Sequence, residues 1–465
     1  MNGYYLMPHP PIIIPEIGKG KEVEIQNTID SCNKIGQEIS DFDIDTIIIV
    51  TPHGTVFGDA VALINLETLE GDFSKFGAKE VSLKLNINTK LTNEIIEEAE
   101  KSNITAVALN KSNAKKYGIT LELDHGAAVP LYFIKDIEKY KIVHITYGML
   151  SPIELYSFGM VIEKACKQTN TKAVIIASGD LSHRLTSDGP YSYSPSGKKF
   201  DSQLVNLLKE GDFFKLFCFD SALITEAGEC GLRSIYILAG TLDGKEAKAD
   251  ILSYEGPFGV GYCAAKFIVN DGKSIYSDLK GLSRAKHLKR LKEGNSYTKL
   301  ARSNILNYFK TGKSLLASDI FDKELLNNKK GVFVSLKIGG ELRGCIGTIE
   351  AVTASVGEEI LNNSLSAAFH DPRFSPLREH ELYEADISVD LLYPAEKCRF
   401  DELDPINYGV IVTYGRKRGL LLPNLEGVDS KEDQVSIALQ KGGINSSEPY
   451  EIERFKVERY KEVEE

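Results

Sequence analysis

Four short runs constrain this chain more than anything else in it: GYYLM (3–7), DTIIIVT (45–51), KIVHITYG (141–148) and KAVIIAS (172–178). Their apolar residues are nearly continuous instead of alternating with polar ones, so a strand made from any of them must be covered on both faces. That requirement selects a largely parallel or mixed central sheet flanked by helices. The helical spacing of apolar residues in PIELYSFGMVIEKACKQ (152–168) and the short apolar stretch GLRSIYILAGTL (231–242) supply covering layers. An α/β N-terminal domain is expected over residues 1–268.

At 465 residues the chain is long for one domain. The polar, locally basic stretch 269–295 reads as a linker, with Lys286, His287, Lys289, Arg290 and Lys292 on a solvated helix face. Residues 296–465 then form a separate α+β domain. It starts with a helix over 297–313, followed by a hairpin over 331–350 that turns at Gly339-Gly340, a strand over 386–394 and a second hairpin over 408–423.

A net charge of −11 argues against nucleic acid as a partner. No apolar run approaches the ~18 residues that a membrane span needs. The start MNGYYLMPHPP lacks a basic stretch followed by a long apolar one, so the expected location is the cytoplasm, with no membrane partner. The seven cysteines are scattered without a C-x-x-C pair, which excludes a zinc ribbon or an iron–sulfur cluster held by this chain. Any redox metal must be held mostly by histidine and carboxylate.

His9, His53 and His183 each follow the end of a predicted strand. In open α/β sheets ligands bind beyond the carboxyl ends of the strands, so the three imidazoles should converge. Pro8, Pro10 and Pro52 stiffen the backbone around the first two. His144 lies inside a strand and is assigned to packing, whereas His125, in LDHGAAVPL, is either a donor or acid pointing into the crevice or a structural residue. Glu229 precedes the helix at 231–242, where a carboxylate meets the helix dipole. With His9 and His53 it also completes the two-histidine, one-carboxylate set of non-haem Fe(II) sites. His183, whose ordinary pKa of about 6.5 suits proton transfer, is then the acid or base. Asp180 would orient that ring or a metal-bound water.

Together MPHPPI, TPHG, LDHGAAVPL, SGDLSHR and EAGECGLRS resemble the class III extradiol ring-cleavage dioxygenases of LigB type and the related Memo-like proteins, over essentially residues 1–268. LRGCIGTIE, AAFHDPRFSPL, DISVDLL and RGLLLP resemble the AMMECR domain, over roughly 295–465. The whole chain looks like a fused Memo-like and AMMECR protein of the AmmeMemoRadiSam system, a resemblance that implies a separate radical SAM enzyme as partner. The LigB-type resemblance implies Fe(II) on His9, His53 and Glu229, His183 as acid/base, a small aromatic or other small-molecule substrate, and O₂-dependent ring cleavage. The Memo-like branch implies Cys230 as third ligand instead. Such a site suits copper or another divalent metal, in a metal-binding adaptor or metal-handling protein without ring cleavage. Metal-assisted hydrolysis is a third reading, disfavoured by the scarcity of carboxylates.

In the AMMECR motif, Arg343, Gly344, Cys345 and Gly347 lie on the second strand of the first hairpin, where glycines admit a close approach. Cys345 is either a reactive thiol beside the Arg343 cation or a small buried strand residue. His370 and Asp371 mark a helix end running into a proline turn, and the exposed hairpins are compatible with a homo-oligomer.

Overall fold

In the computed structural model, which describes residues 1–425 and 427–462, the apolar runs become the centre of a ten-stranded sheet. Its strands are β1 (Gly3–Met7), β2 (Thr46–Thr51), β3 (Val61–Ile64), β4 (Thr68–Phe73), β5 (Ala78–Ile87), β6 (Ala106–Leu109), β7 (Lys141–Thr146), β8 (Ala173–Ser178), β9 (Lys245–Glu255) and β10 (Tyr262–Asp271). The order is β4-β5-β7-β2-β8-β1-β10-β9, with β3 beside β7 and β6 beside β3. The pairings from β5 through β7, β2 and β8 to β1 are parallel, while the outer pairs β4/β5, β1/β10 and β10/β9 are antiparallel.

Period-two alternation explains why the central runs are apolar throughout. Tyr4, Leu6, Ile48, Val50, Val143, Ile145, Ile175 and Ala177 face one core, which the helices Pro152–Thr169 and Leu232–Thr241 complete. Tyr5, Met7, Ile47, Ile49, Ile142, Val174 and Ile176 face the other, with the helices Gln26–Asp41 and His125–Tyr132. The helix Pro152–Thr169 starts at a capping box, Ser151 with Glu154, which satisfies two of its free N–H groups reciprocally. Among the described residues no helix is long and apolar enough to cross a membrane.

The chain divides into two compact units, Met1–Leu282 and Ser283–Glu465. Residues 269–295, expected as a linker, are the end of β10 and then a helix, Tyr276–Glu293, so the division falls inside a helix. Its basic run is not wholly solvated. Within the second unit His287 is buried, and Arg290 donates to the Asp386 carboxylate and, at 3.2 Å, to the Tyr383 carbonyl.

The second unit is α+β. It contains the sheet β12-β11-β13-β18, from β11 (Gly331–Ile338), β12 (Glu341–Gly347), β13 (Asp386–Leu392) and β18 (Val457–Lys461). A second antiparallel sheet has the order β14-β17-β15-β16, from β14 (Glu396–Lys397), β15 (Gly409–Tyr414), β16 (Lys417–Leu421) and β17 (Glu451–Phe455). The helices Ser296–Thr311 and Val356–Phe369 pack on the first sheet through Ile305, Ile360, Val334 and Leu336. Gly339 and Gly340 take φ of 59° and 84°, the left-handed backbone that a two-residue hairpin turn demands.

Candidate metal centre

Register brings the site together. Met7 of β1 lies beside Ser178 of β8, and Val50 of β2 beside Ala177, so three adjacent parallel strands end level. His9, Asp180 and His53 each stand two residues past those ends, on one crest of the sheet. Two loops meet there at a contact that admits no side chain. A Cβ on Gly179 would lie 2.2 Å from the Gly231 Cα, so glycine at both places lets the segment carrying Cys230 reach the crest.

The tautomer of His9 follows from its partners. Ser178 Oγ donates its one proton to the Gly126 carbonyl at 2.5 Å, so it accepts from His9 Nδ1–H at 2.9 Å. His9 therefore presents an unprotonated Nε2, 2.9 Å from Nε2 of His53. The two rings are perpendicular, at 87°, and these two nitrogens face each other. Two imidazoles on one ion at roughly 2.1 Å each and at a right angle stand about 3.0 Å apart, so the residues present fit a shared divalent metal. Burial, reinforced by the neighbouring His53, holds His9 well below the ordinary imidazole pKa and so in its neutral, ligating form.

His125 joins this cluster. Donor atoms of His9, His53 and His125 lie within 4.8 Å of one another. Its ring stacks on His53 at 4.2 Å and 21°. His125 is kept neutral by burial and by the adjacent His53 and His9, its pKa lowered to about 3.

Glu229 and Cys230 point differently. The Glu229 carboxylate accepts from the Leu232 N–H at 2.6 Å, the helix-terminus arrangement, and burial pushes its pKa up to about 7. The Cys230 thiol lies 3.6 Å from His9 Nε2 and accepts from the Asp180 N–H at 3.4 Å. Asp180 accepts the His9 N–H at 2.9 Å, and its other oxygen is 3.8 Å from His9 Nε2. Burial raises its carboxyl to about 6. His183 sits on the same crest, its ring stacked on Tyr191 at 5.2 Å and its backbone N–H given to the Ala227 carbonyl.

Ser178, Tyr191 and Asp124 belong to this site and were not singled out by sequence reasoning. Asp124 is visible in sequence only as the residue before His125. His144, assigned to packing, is indeed buried, but its Nε2 lies 2.7 Å from the Asp124 carboxylate. Packing is not its whole role.

In the second unit the glycines behave as expected: a Cβ on Gly344 would stand 2.2 Å from the Ala367 carbonyl of the covering helix, and one on Gly347 2.3 Å from the Phe333 ring. Arg343 is not the cation beside Cys345. Its guanidinium is clamped by both oxygens of Glu381, at 2.7 and 3.1 Å, and by the Ser375 carbonyl. The neighbour is Arg373, which donates to the Cys345 carbonyl at 2.9 Å and to Asp371. Burial raises the Cys345 thiol pKa, while Ser335 donates to its sulfur at 3.2 Å. His370 caps the helix ending at Phe369, and Asp371 also accepts the Cys345 N–H.

Residues 3–265 match the family described as the catalytic LigB subunit of aromatic ring-opening dioxygenase, and residues 298–463 match AMMECR1. A protein of Clostridium acetobutylicum is 49% identical over 465 residues, covering 99% of each chain. One of Thermotoga maritima is 46% identical over 168 residues, 36% of this chain and 97% of its own. Among solved structures, an uncharacterized protein from Pyrococcus horikoshii is 28% identical with a TM-score of 0.34, covering 36% of this chain and 90% of its own. An uncharacterized protein from Escherichia coli K12 is 13% identical with a TM-score of 0.39, covering 57% and 99%. The chain thus belongs to the family of the catalytic LigB subunit of aromatic ring-opening dioxygenases, with an AMMECR1 domain following in the same polypeptide.

Proposed function

We propose that the first unit is a non-haem, Fe(II)-dependent oxidoreductase of extradiol-dioxygenase type, with His9 and His53 as metal ligands and the third donor from the neighbouring pair Glu229 and Cys230. The observation that carries this reading is the convergence of the His9 and His53 Nε2 atoms, 2.9 Å apart on perpendicular rings. Of that pair, the Cys230 thiol stands 3.6 Å from His9 Nε2, while one oxygen of the Glu229 carboxylate accepts the Leu232 N–H. When bound, the metal supplies activation of O₂ and of a coordinated substrate oxygen. His183 accepts and returns the substrate's proton, its plane set by the Tyr191 stack. Asp180 holds the His9 backbone and keeps a carboxylate beside the ligands. Phe76, edge-on to His125 at 5.3 Å, gives the site an aromatic wall suited to a small planar substrate.

In this reading the protein acts in the cytoplasm, beside a separate radical SAM enzyme, with the AMMECR1 domain binding the substrate or that partner. The family resemblance is the support for these features.

A second reading, a metal-handling adaptor that uses copper or another soft divalent metal, is favoured by the Cys230 thiol itself. Anaerobic loading with Fe(II), followed by O₂ uptake with a panel of catechols, separates the two. The oxidoreductase reading expects one iron per chain, uptake lost in His183→Ala with iron retained, and iron lost in Glu229→Gln; iron kept in Glu229→Gln but lost in Cys230→Ser, with no uptake, points to the adaptor. Tight metal binding with no uptake from any catechol supports the adaptor.

A further inference from the structure

Asp124 does more than cap the helix His125–Tyr132. One of its oxygens, Oδ1, accepts from Thr51 Oγ1 at 2.6 Å and from the Ala127 N–H at 3.1 Å, and the other lies 2.7 Å from Nε2 of His144. Since Thr51 spends its single hydroxyl proton on Asp124, its oxygen is left to accept the His53 N–H at 3.2 Å. Donation therefore runs from the His53 backbone through Thr51 to Asp124. Oδ1 receives from both of its partners and Oδ2 faces the His144 ring, an arrangement that suits an ionised group. His144 has its Nδ1 buried without a partner among the described residues, so Asp124 is the polar anchor of that ring too. Gly126 makes room for the junction, because a Cβ there would stand 2.5 Å from Thr51 Oγ1 and 3.1 Å from the His53 ring.

Electrostatics gives the arrangement a purpose. His9 and His53 are neutral donors, and a divalent ion between them is a buried charge that must be balanced nearby. Asp124 is placed to supply that balance, because the Thr51 hydroxyl and the Ala127 N–H both donate to it. We propose that Asp124 is a positioning residue of the metal centre, aiming His53 through Thr51 and placing a fixed negative charge behind the ion. This rests on the reading of His9 and His53 as ligands.

Co(II) titration of the metal-free full-length chain tests it, with wild type, Asp124→Asn and Thr51→Val compared by affinity, by the visible ligand-field bands and by metal-free melting temperature. Partners behind metal ligands typically contribute roughly 10–100-fold in affinity. Asp124→Asn is expected to lose that much, and Thr51→Val to lose several-fold with shifted bands in a metal-free chain that still melts cooperatively. If wild type binds Co(II) and Thr51→Val binds within twofold with identical bands, the proposal is overturned while the metal reading stands. If wild type binds no Co(II), the metal reading itself fails. Should Asp124→Asn not fold, Thr51→Val decides alone.

Discussion

His9→Ala and His53→Ala are each expected to abolish stoichiometric metal binding, with an affinity loss on the order of 100-fold or more, since groups merely supporting ligands already account for roughly 10–100-fold. Each change removes one of the two nitrogens that stand 2.9 Å apart and leaves the other without a partner. Neither should unfold the chain. His9 and His53 lie past the ends of β1 and β2, outside the apolar layers that hold the sheet. Metal content after anaerobic loading and desalting, with circular dichroism as the control for folding, checks this. Equal metal content in wild type and in either variant would contradict the assignment.

The other large effect concerns stability. Arg302→Met is expected to destabilise the second unit by about 3–5 kcal/mol, the usual consequence of leaving a buried charge unpaired. Arg302 is 0% exposed. Its guanidinium meets both oxygens of Glu462 at 2.6 Å, the Leu382 carbonyl at 2.6 Å, the Ala385 carbonyl, and Nδ1 of His287 at 3.0 Å. Burial and the Arg302 charge hold His287 down to about 4, so the ring is neutral and accepts from the arginine. Glu462 is 6% exposed and also accepts the Ile387 N–H at 2.8 Å, so removing Arg302 leaves this buried carboxylate with only the more distant Arg290 guanidinium, at 3.8 Å. Urea unfolding of the full-length chain, with hydrogen exchange reporting on residues 283–462, measures the loss. The double change Arg302→Met with Glu462→Leu should recover much of it, because both buried charges are then gone.

Much of the first unit was legible because a strand buried on both faces cannot hide its composition. β1, β2, β7 and β8 follow the continuous runs closely, and the helices at 152–169 and 232–241 follow from spacing and from short apolar length. The flanking strands β4, β5 and β9 alternate polar and apolar residues, so a search for continuous runs passes over them. His9 and His53 were legible because a proline-flanked histidine just past such a strand has few other places to go. The surroundings of Glu229 and Cys230 were not: the two are neighbours in a turn, and the Leu232 N–H on one and the His9 ring beside the other come from tertiary structure. Asp124 was invisible for a similar reason: its partners Thr51 and His144 come from β2 and β7, 73 and 20 residues away. Composition misled in one place. A basic run between two domains resembles a solvated linker, yet His287 is buried against the Arg302 guanidinium and Arg290 meets the Tyr383 carbonyl and the Asp386 carboxylate.

X-ray absorption at the iron edge of the Fe(II)-loaded, full-length protein tests most directly whether His9 and His53 share one metal ion. The prediction is one iron per chain with two imidazole nitrogens bound to it. Iron bound without imidazole scattering, or no retained iron at all, would contradict it.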